Sequence, residues 1–169
     1  WSTAFANKNT SFEADGSMNL DARALYYFNA GGVTPAMATT HAGAGSDYAL
    51  AVVDANKQPF DGSKTYKLHL PPNVPVNDFW AVTIYDTQTR SQLQTSQRFP
   101  TVGSQSDGIK KNADGSFDLY FAPKAPAGKE GNWLATVPGK SWFAILRMYG
   151  PLEPWINKSW RPGEIAQVK

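Results

Sequence analysis

The sequence predicts a mainly β protein, an antiparallel β-sandwich of jelly-roll type with one N-terminal helix and short extra helical turns. Short apolar runs follow one another from residue 47 onward, and several of them alternate apolar with polar side chains. Turn residues separate the runs: the chain has twelve prolines and four Asp-Gly pairs, at Asp15-Gly16, Asp61-Gly62, Asp107-Gly108 and Asp114-Gly115. Many short strands joined by such turns are typical of sandwiches.

One helix is predicted near the start of the chain. Asn19 can cap it, Asp21 lies in the first turn, where the helix dipole favours a negative charge, and residues 22–28 carry an apolar stripe. The pair Gly31-Gly32 is expected to end it, because glycine adopts the left-handed conformation that closes helices. A second short helical turn is predicted to begin at Pro35.

Six strands are predicted in the rest of the chain. Residues 64–70 alternate between apolar and polar side chains, which indicates an antiparallel strand with one buried face. Residues 79–85 and 142–149 are apolar on both faces, so we expect both strands to be central and covered on both sides. The other strands are expected over 48–53, 117–121 and 164–168.

Composition excludes several classes of protein. The chain has 169 residues, enough for one domain with a real core, and it lacks cysteine, which excludes disulfide scaffolds, zinc ribbons and thiol enzymes. Its net charge is only +2 and its basic residues are scattered, so nucleic-acid binding is not expected. No apolar run approaches the roughly 18 residues of a membrane span.

No metal site or cofactor is predicted. Residues 112–118 resemble a calcium-binding loop only superficially, because their glycine stands at the fourth position instead of the sixth. We interpret this segment as a hairpin turn. Glycine-rich loops for dinucleotides or phosphates are absent from the sequence.

Arg147 is the first candidate functional residue. It lies between Leu146 and Met148 in the most apolar strand, and a buried guanidinium needs a partner. Two interpretations stay open: a structural ion pair, or an arginine that binds an anion in a pocket of the sandwich. Carboxylates expected to pair with it are Asp78, Asp86 and Glu153.

His41 and three tryptophans are the other candidates for ligand binding. His41 lies in a glycine-rich loop, where the backbone can approach a ligand closely. Trp133, Trp155 and Trp160 lie in loops rich in glycine and proline, where an indole either stacks on a sugar or packs beneath the loop. The second histidine, His69, is interpreted as a surface residue.

Several stretches occur in an order that resembles a known family. They cover residues 79–86 (FWAVTIYD), 112–133 (beginning NADGSFDLYF), 138–155 (ending GPLEPW) and 160–163 (WRPG). Together they resemble the C-terminal domain family called domain of unknown function 1214. Its usual N-terminal partner is domain of unknown function 1254, and residues 20–28 resemble the segment that joins the two.

The resemblance implies a mostly bacterial, often exported two-domain protein, periplasmic or secreted. It also implies that an N-terminal partner domain is missing, which fits a chain that starts at Trp1. On this basis we divide the chain into an N-terminal extension (1–18), a helix and linker (19–46) and a β-sandwich domain (47–169). The family name states no activity, so no catalytic residues are carried over.

Two functions are therefore weighed. The first is a binding or assembly module that docks the partner domain, or a second copy of the chain, through its helix and aromatic loops. The alternative is a ligand-binding or enzymatic domain that acts on a saccharide or a small polar or anionic molecule through Arg147, His41 and a loop tryptophan. A concave pocket joining aromatic and polar groups would favour the alternative, and a filled interior would oppose it.

Overall fold

The structure is a computed structural model that describes residues 1–2, 12–30 and 41–168. The strands of these residues are β1 (Glu13–Ala14), β2 (Ser17–Met18), β3 (Ser46–Ala51), β4 (Phe60–Asp61), β5 (Thr65–Leu70), β6 (Val76–Asp86), β7 (Thr101–Gly103), β8 (Phe117–Ala122), β9 (Trp133–Ala135), β10 (Ser141–Pro151) and β11 (Ala166–Val168). The helices are α1 (Leu20–Ala30), a 3-10 turn (Glu130–Asn132) and α2 (Glu153–Ile156). The predicted mainly β class is confirmed.

The N-terminal helix forms as predicted. Asn19 accepts a hydrogen bond through its side chain from the backbone N–H of Ala22, at 2.9 Å, and so caps α1. Before it, β1 and β2 form a hairpin whose turn is Asp15-Gly16, both with the positive φ of a tight turn. The expected stop at Gly31-Gly32 and the turn expected at Pro35 lie outside the described residues.

The larger of the two main sheets has the order β3-β10-β6-β7, with the short β4 also paired to β10. All its pairs are antiparallel. The two longest strands, β6 and β10, are neighbours along almost their whole length, so the prediction that they are central is correct. Only one of their faces is fully buried, however: on β10, Leu146 and Met148 are fully buried while Ile145 and Tyr149 stay partly exposed.

The smaller sheet has the order β11-β5-β8-β9. Its pairs are antiparallel except β8 and β9, which run parallel and were not predicted from the sequence. The predicted alternation in β5 is confirmed, since Tyr66, Leu68 and Leu70 are buried while Lys67 and His69 are not. The strands before and after the turn at residues 54–62 lie in different sheets.

The inner faces of the two main sheets share one hydrophobic core, the arrangement of a sandwich. Trp142 of the larger sheet stacks on Phe60 at 4.1 Å between ring centroids and on Phe121 of the smaller sheet at 4.9 Å. Trp80 meets Phe117 of the smaller sheet edge to face at 5.0 Å. Aromatic rings therefore fill the space between the sheets.

Candidate functional site

The outer face of the larger sheet, opposite the core, is rich in aromatic residues. Because side chains alternate along a strand, the residues of β6 and β10 that do not enter the core meet on this surface. We call it the aromatic face: Tyr48, Leu50, Phe79, Tyr85, Phe143, Ile145, Arg147 and Tyr149. Its exposure is uneven: Tyr48 is 44 % exposed, whereas Tyr85 and Phe143 are buried, at 9 % and 8 %.

Stacked rings stiffen this surface. Phe79 and Tyr149 are cross-strand partners whose ring centroids lie 4.1 Å apart. Tyr85 and Phe143 form a second stacked pair, with centroids 5.2 Å apart. Cross-strand aromatic pairs of this kind stabilise a sheet and hold their side chains in place.

Arg147 lies between the two stacked pairs. Its Nη2 donates a hydrogen bond to the hydroxyl of Tyr85 at 2.7 Å, and its guanidinium carbon stands 5.6 Å from the centre of the Tyr48 ring. Its Nε is buried and finds no hydrogen-bond acceptor among the described residues. Burial, the largest single influence, lowers the pKa of Arg147, but the hydroxyls of Tyr149 and Tyr85 outweigh it, so the pKa is raised overall.

The carboxylates expected beside Arg147 do not pair with it. Within the described ranges, no Asp or Glu oxygen forms a salt bridge with this guanidinium. Asp86 belongs to the opposite side of β6, and its Oδ2 lies 2.6 Å from Nζ of Lys140. The expectation of a structural ion pair fails because Arg147 points to the outer face, where tyrosine hydroxyls and rings surround it.

The row of residues that crosses the sheet at Arg147 has a distinct shape. Tyr48 lies on one side of it, and on the other side follow Ala81 and then Gly103, the two smallest side chains of the row. Rings of the two stacked pairs rise above and below. Arg147 therefore has an aromatic neighbour on one side of the sheet and small neighbours on the other.

Trp155 lies in the short helix α2 and not in a loop as predicted, and both Trp155 and Trp160 pack against the core. Trp155 is only 3 % exposed, and its indole N–H donates to Oδ2 of Asp47 at 2.8 Å. Trp160 lies 6.1 Å from it between ring centroids and donates to the carbonyl of Pro72 at 3.2 Å. Both indole N–H groups are therefore used within the domain, and Trp155 is too buried to stack on a ligand.

His41 is exposed and lies at the same end of the larger sheet as Trp155. Its loop is tied to the end of β10, since Gly43 donates to the carbonyl of Pro151 at 2.7 Å. Asp47, which binds Trp155, is the second residue of the following strand, β3. Arg147 lies on the outer face instead, so the structure does not bring the predicted site residues together around one ligand.

Trp133 lies on the other sheet. Its indole N–H donates to the carbonyl of Ala122 at 2.8 Å, and the residue pairs with Tyr120 across β8 and β9. The outer face of this smaller sheet, on the side away from the core, also carries a charged cluster that was not predicted from the sequence. Asp118 accepts from Nδ1 of His69 at 2.8 Å and from Nζ of Lys67 at 2.9 Å.

A small cavity of about 160 Å³ opens beside Asp118. We call it the lysine cleft; its lining residues are Lys110, Lys111, Asn112, Asp118, Gly128, Lys129 and Asn132. The sequence offers one signal for it, the adjacent pair Lys110-Lys111. A second cavity, of about 320 Å³, is formed by the chain segment from Gln92 to Pro100.

Other kinds of site find no support in the described part of the chain. No group of three or more His, Asp or Glu side chains is placed so that it could hold a metal ion. Nor does any of its helices have the length and apolar character needed to cross a membrane.

Comparisons with known proteins give a family and a fold. A family model described as "Protein of unknown function (DUF1214)" matches residues 45–153. The chain is similar to the solved structure of the VPA0106 protein from Vibrio parahaemolyticus, with 25 % identity and a TM-score of 0.68. The match covers 91 % of this chain and 36 % of that chain.

A second solved structure, a putative uncharacterized protein from Burkholderia cenocepacia, matches at 13 % identity and a TM-score of 0.45. That match covers 73 % of this chain and 29 % of the other. The chain thus spans about a third of the length of the solved proteins it matches. No curated protein matches it.

Proposed function

The chain belongs to the DUF1214 family, and we propose that it is a binding or assembly module that docks another domain of a longer protein through its aromatic face. The observation that carries the proposal is Arg147, a half-buried cation held among aromatic rings with no carboxylate partner in the described residues. An arginine set among aromatic side chains, one of which (Tyr48) is exposed, is typical of a docking surface.

The partner proposed is a domain on the same polypeptide. Support comes from the Vibrio protein, in which the part matched by this chain is only 36 % of the whole. A domain attached in the same chain is present at high effective concentration, so a modest surface is enough to hold it. A second copy of the chain is the competing occupant.

The positive charge of Arg147 indicates which group the partner domain should place against it. The guanidinium of Arg147 has no carboxylate partner among the described residues, and a carboxylate is the group that pairs most strongly with an arginine. On the side of Arg147 away from Tyr48, its neighbours across the sheet are the small residues Ala81 and Gly103. We therefore expect the docking surface to contain an Asp or Glu set among apolar residues.

The helix α1 supports the same function. Its Leu20 and Tyr27 are 66 % and 64 % exposed, so the helix offers apolar side chains that the described residues do not cover. The loop tryptophans, by contrast, are used within the domain. We therefore propose that α1 and the aromatic face contact the partner, and that the tryptophan loops do not.

The Vibrio crystal structure provides the first test. Superposition should show the surface equivalent to the aromatic face buried by the remainder of that chain, with a carboxylate near the position of Arg147. The surface equivalent to Lys67 and His69 is the control and should stay open. An uncovered aromatic face in that protein would contradict the proposal.

A second test uses this chain itself. Light scattering after size-exclusion chromatography should find a monomer, because the proposed occupant is a different domain. A dimer that Tyr149→Ser separates into monomers would assign the face to self-association instead.

The resemblance to exported proteins leads us to propose a periplasmic or secreted location, and fractionation of the native host would test it.

A further inference from the structure

We propose that the lysine cleft on the smaller sheet binds a small divalent oxyanion, either phosphate or the phosphate group of an ester. The site is separate from the aromatic face, since it lies on the outer side of the other sheet. The proposal does not depend on the docking function. Three features of the cleft favour such a ligand: the charge of its lysines, the rigidity of its walls and the size of the cavity.

The charges at the cleft favour an anion. Three of its lining residues are lysines, Lys110, Lys111 and Lys129, and none of them forms a salt bridge with a described residue. Their ammonium groups carry donors and no acceptor, so they offer hydrogen bonds only to an electron-rich ligand.

The carboxylates near the cleft are already engaged. Both oxygens of Asp118 are occupied, Oδ1 by His69 and Oδ2 by Lys67. Glu130 accepts from the backbone N–H of Gly128 at 3.0 Å. Both oxygens of Asp118 therefore have basic partners, and the three lysines of the cleft outnumber the neighbouring Glu130.

Asn132 fixes the walls of the cleft. It is only 5 % exposed, and its Nδ2 donates to the carbonyls of Lys110 and Asp118, each at 2.9 Å. Its Oδ1 accepts from the backbone N–H of Lys110 at 2.8 Å. The segment that carries two of the lysines is therefore held against β8 before any ligand arrives, which lowers the entropy lost on binding.

Gly131 brings the walls close together. A Cβ atom at this position would overlap the carbonyl of Gly108, so only glycine allows the two segments to touch.

A volume of about 160 Å³ accepts a tetrahedral oxyanion but not a whole sugar ring with its hydration shell. The cleft also lies next to Tyr120, whose ring centre is 5.8 Å from Nζ of Lys129. An organic group esterified to the phosphate would find an aromatic neighbour there.

The test is a titration of the isotopically labelled chain, followed by the backbone amide signals of Lys110, Gly128 and Lys129. Inorganic phosphate and glycerol phosphate are added separately at constant ionic strength, with sodium chloride as the reference. We expect saturable shifts at these amides with one or both phosphates. Saturation by inorganic phosphate assigns the site to the free ion, and saturation by the ester alone assigns it to an esterified phosphate.

Two charge-matched variants make the test decisive. Lys110→Gln with Lys129→Gln removes two charges at the cleft and should weaken phosphate binding about tenfold or more. Lys57→Gln with Lys64→Gln removes two charges elsewhere and should change it less than about twofold. All four lysines are exposed, so both variants are expected to fold. Equal shifts with sodium chloride, no saturation, or equal weakening by the two variants would overturn the proposal.

Discussion

The two sheets share a core but present opposite kinds of surface. The larger sheet turns stacked rings and one arginine outward, whereas the smaller sheet turns outward Lys67, His69 and Asp118, whose charges are satisfied within the cluster. When the polar groups of a surface already have partners, covering that surface with another domain adds little stabilising free energy. An apolar surface with one cation that lacks a carboxylate partner gains stability from burial and from a carboxylate, and this difference supports the proposal that docking uses the larger sheet.

The first prediction compares the two sides of β10 directly. Leu146 is fully buried between the sheets, while its neighbour Ile145 lies on the aromatic face and is partly exposed. Leu146→Ala should cost about 2–5 kcal/mol in the free energy of unfolding, and Ile145→Ala about 1 kcal/mol. Urea denaturation measures both. Equal losses would mean that the aromatic face is already covered within this chain.

The second prediction concerns the smaller sheet. Asn132→Ala removes a buried side chain that makes three hydrogen bonds, and should cost about 1–3 kcal/mol because backbone groups of Lys110 and Asp118 lose their partner. Asn157→Ala is the control: this residue is exposed and accepts one local hydrogen bond, so its loss should stay within about 0.5 kcal/mol. A neutral Asn132→Ala would show that the cleft is not rigid.

Local patterns were sufficient to predict most long elements. The alternation of residues 64–70 and the two fully apolar runs at 79–85 and 142–149 correspond to β5, β6 and β10. Of the two- and three-residue strands, β11 was predicted within 164–168, but others such as β4 and β7 were missed because so short a segment has no period of its own. The parallel pairing of β8 and β9 depends on contacts that no local pattern encodes.

The sites were less predictable, for a physical reason. His69 and Asp118 are 49 positions apart and meet only because β5 and β8 pair in one particular register. Arg147 was recognised because a charge stood in an apolar strand. Its neighbours were predicted wrongly, because the sequence does not show which side of the sheet an arginine faces when both sides are apolar.

Replacing that arginine tests its role on the aromatic face. Arg147→Met should change the stability of the free chain by no more than about 1 kcal/mol, because no buried carboxylate loses its partner. Arg90→Met is the matched control, since Arg90 stands at 5.9 Å from the ring centre of Phe143 at the border of the same face and is exposed. Thermal and urea unfolding measure both variants. A loss above about 3 kcal/mol for Arg147→Met alone would show that the residue holds the fold together instead of awaiting a partner.

The smallest effect expected is a response to acid at the end of β6. Lys140, with Nζ 2.6 Å from the carboxylate, lowers the pKa of Asp86 from 3.8 to about 2, helped by the backbone N–H groups of Thr89 and Gln88. Since the folded state favours the ionised form, this group stabilises the protein fully above about pH 4 and loses its contribution as the pH falls towards 2. Asp86→Asn should therefore be less stable than the unaltered chain at neutral pH, and the gap should close between pH 4 and pH 2.

Asp118→Asn gives the same comparison on the smaller sheet. Burial, the largest single influence, raises the pKa of Asp118, but hydrogen bonds from His69 and Lys67 together outweigh it and the pKa is lowered. Its stabilisation should also decline on acidification, because the carboxylate that binds both bases becomes neutral. Urea denaturation from pH 7 to pH 2 follows both gaps. The difference in unfolding free energy between Asp86→Asn and the unaltered chain could stay constant with pH while the difference for Asp118→Asn closes. In that case the ion pair of Asp86 with Lys140 does not contribute to the stability of the larger sheet.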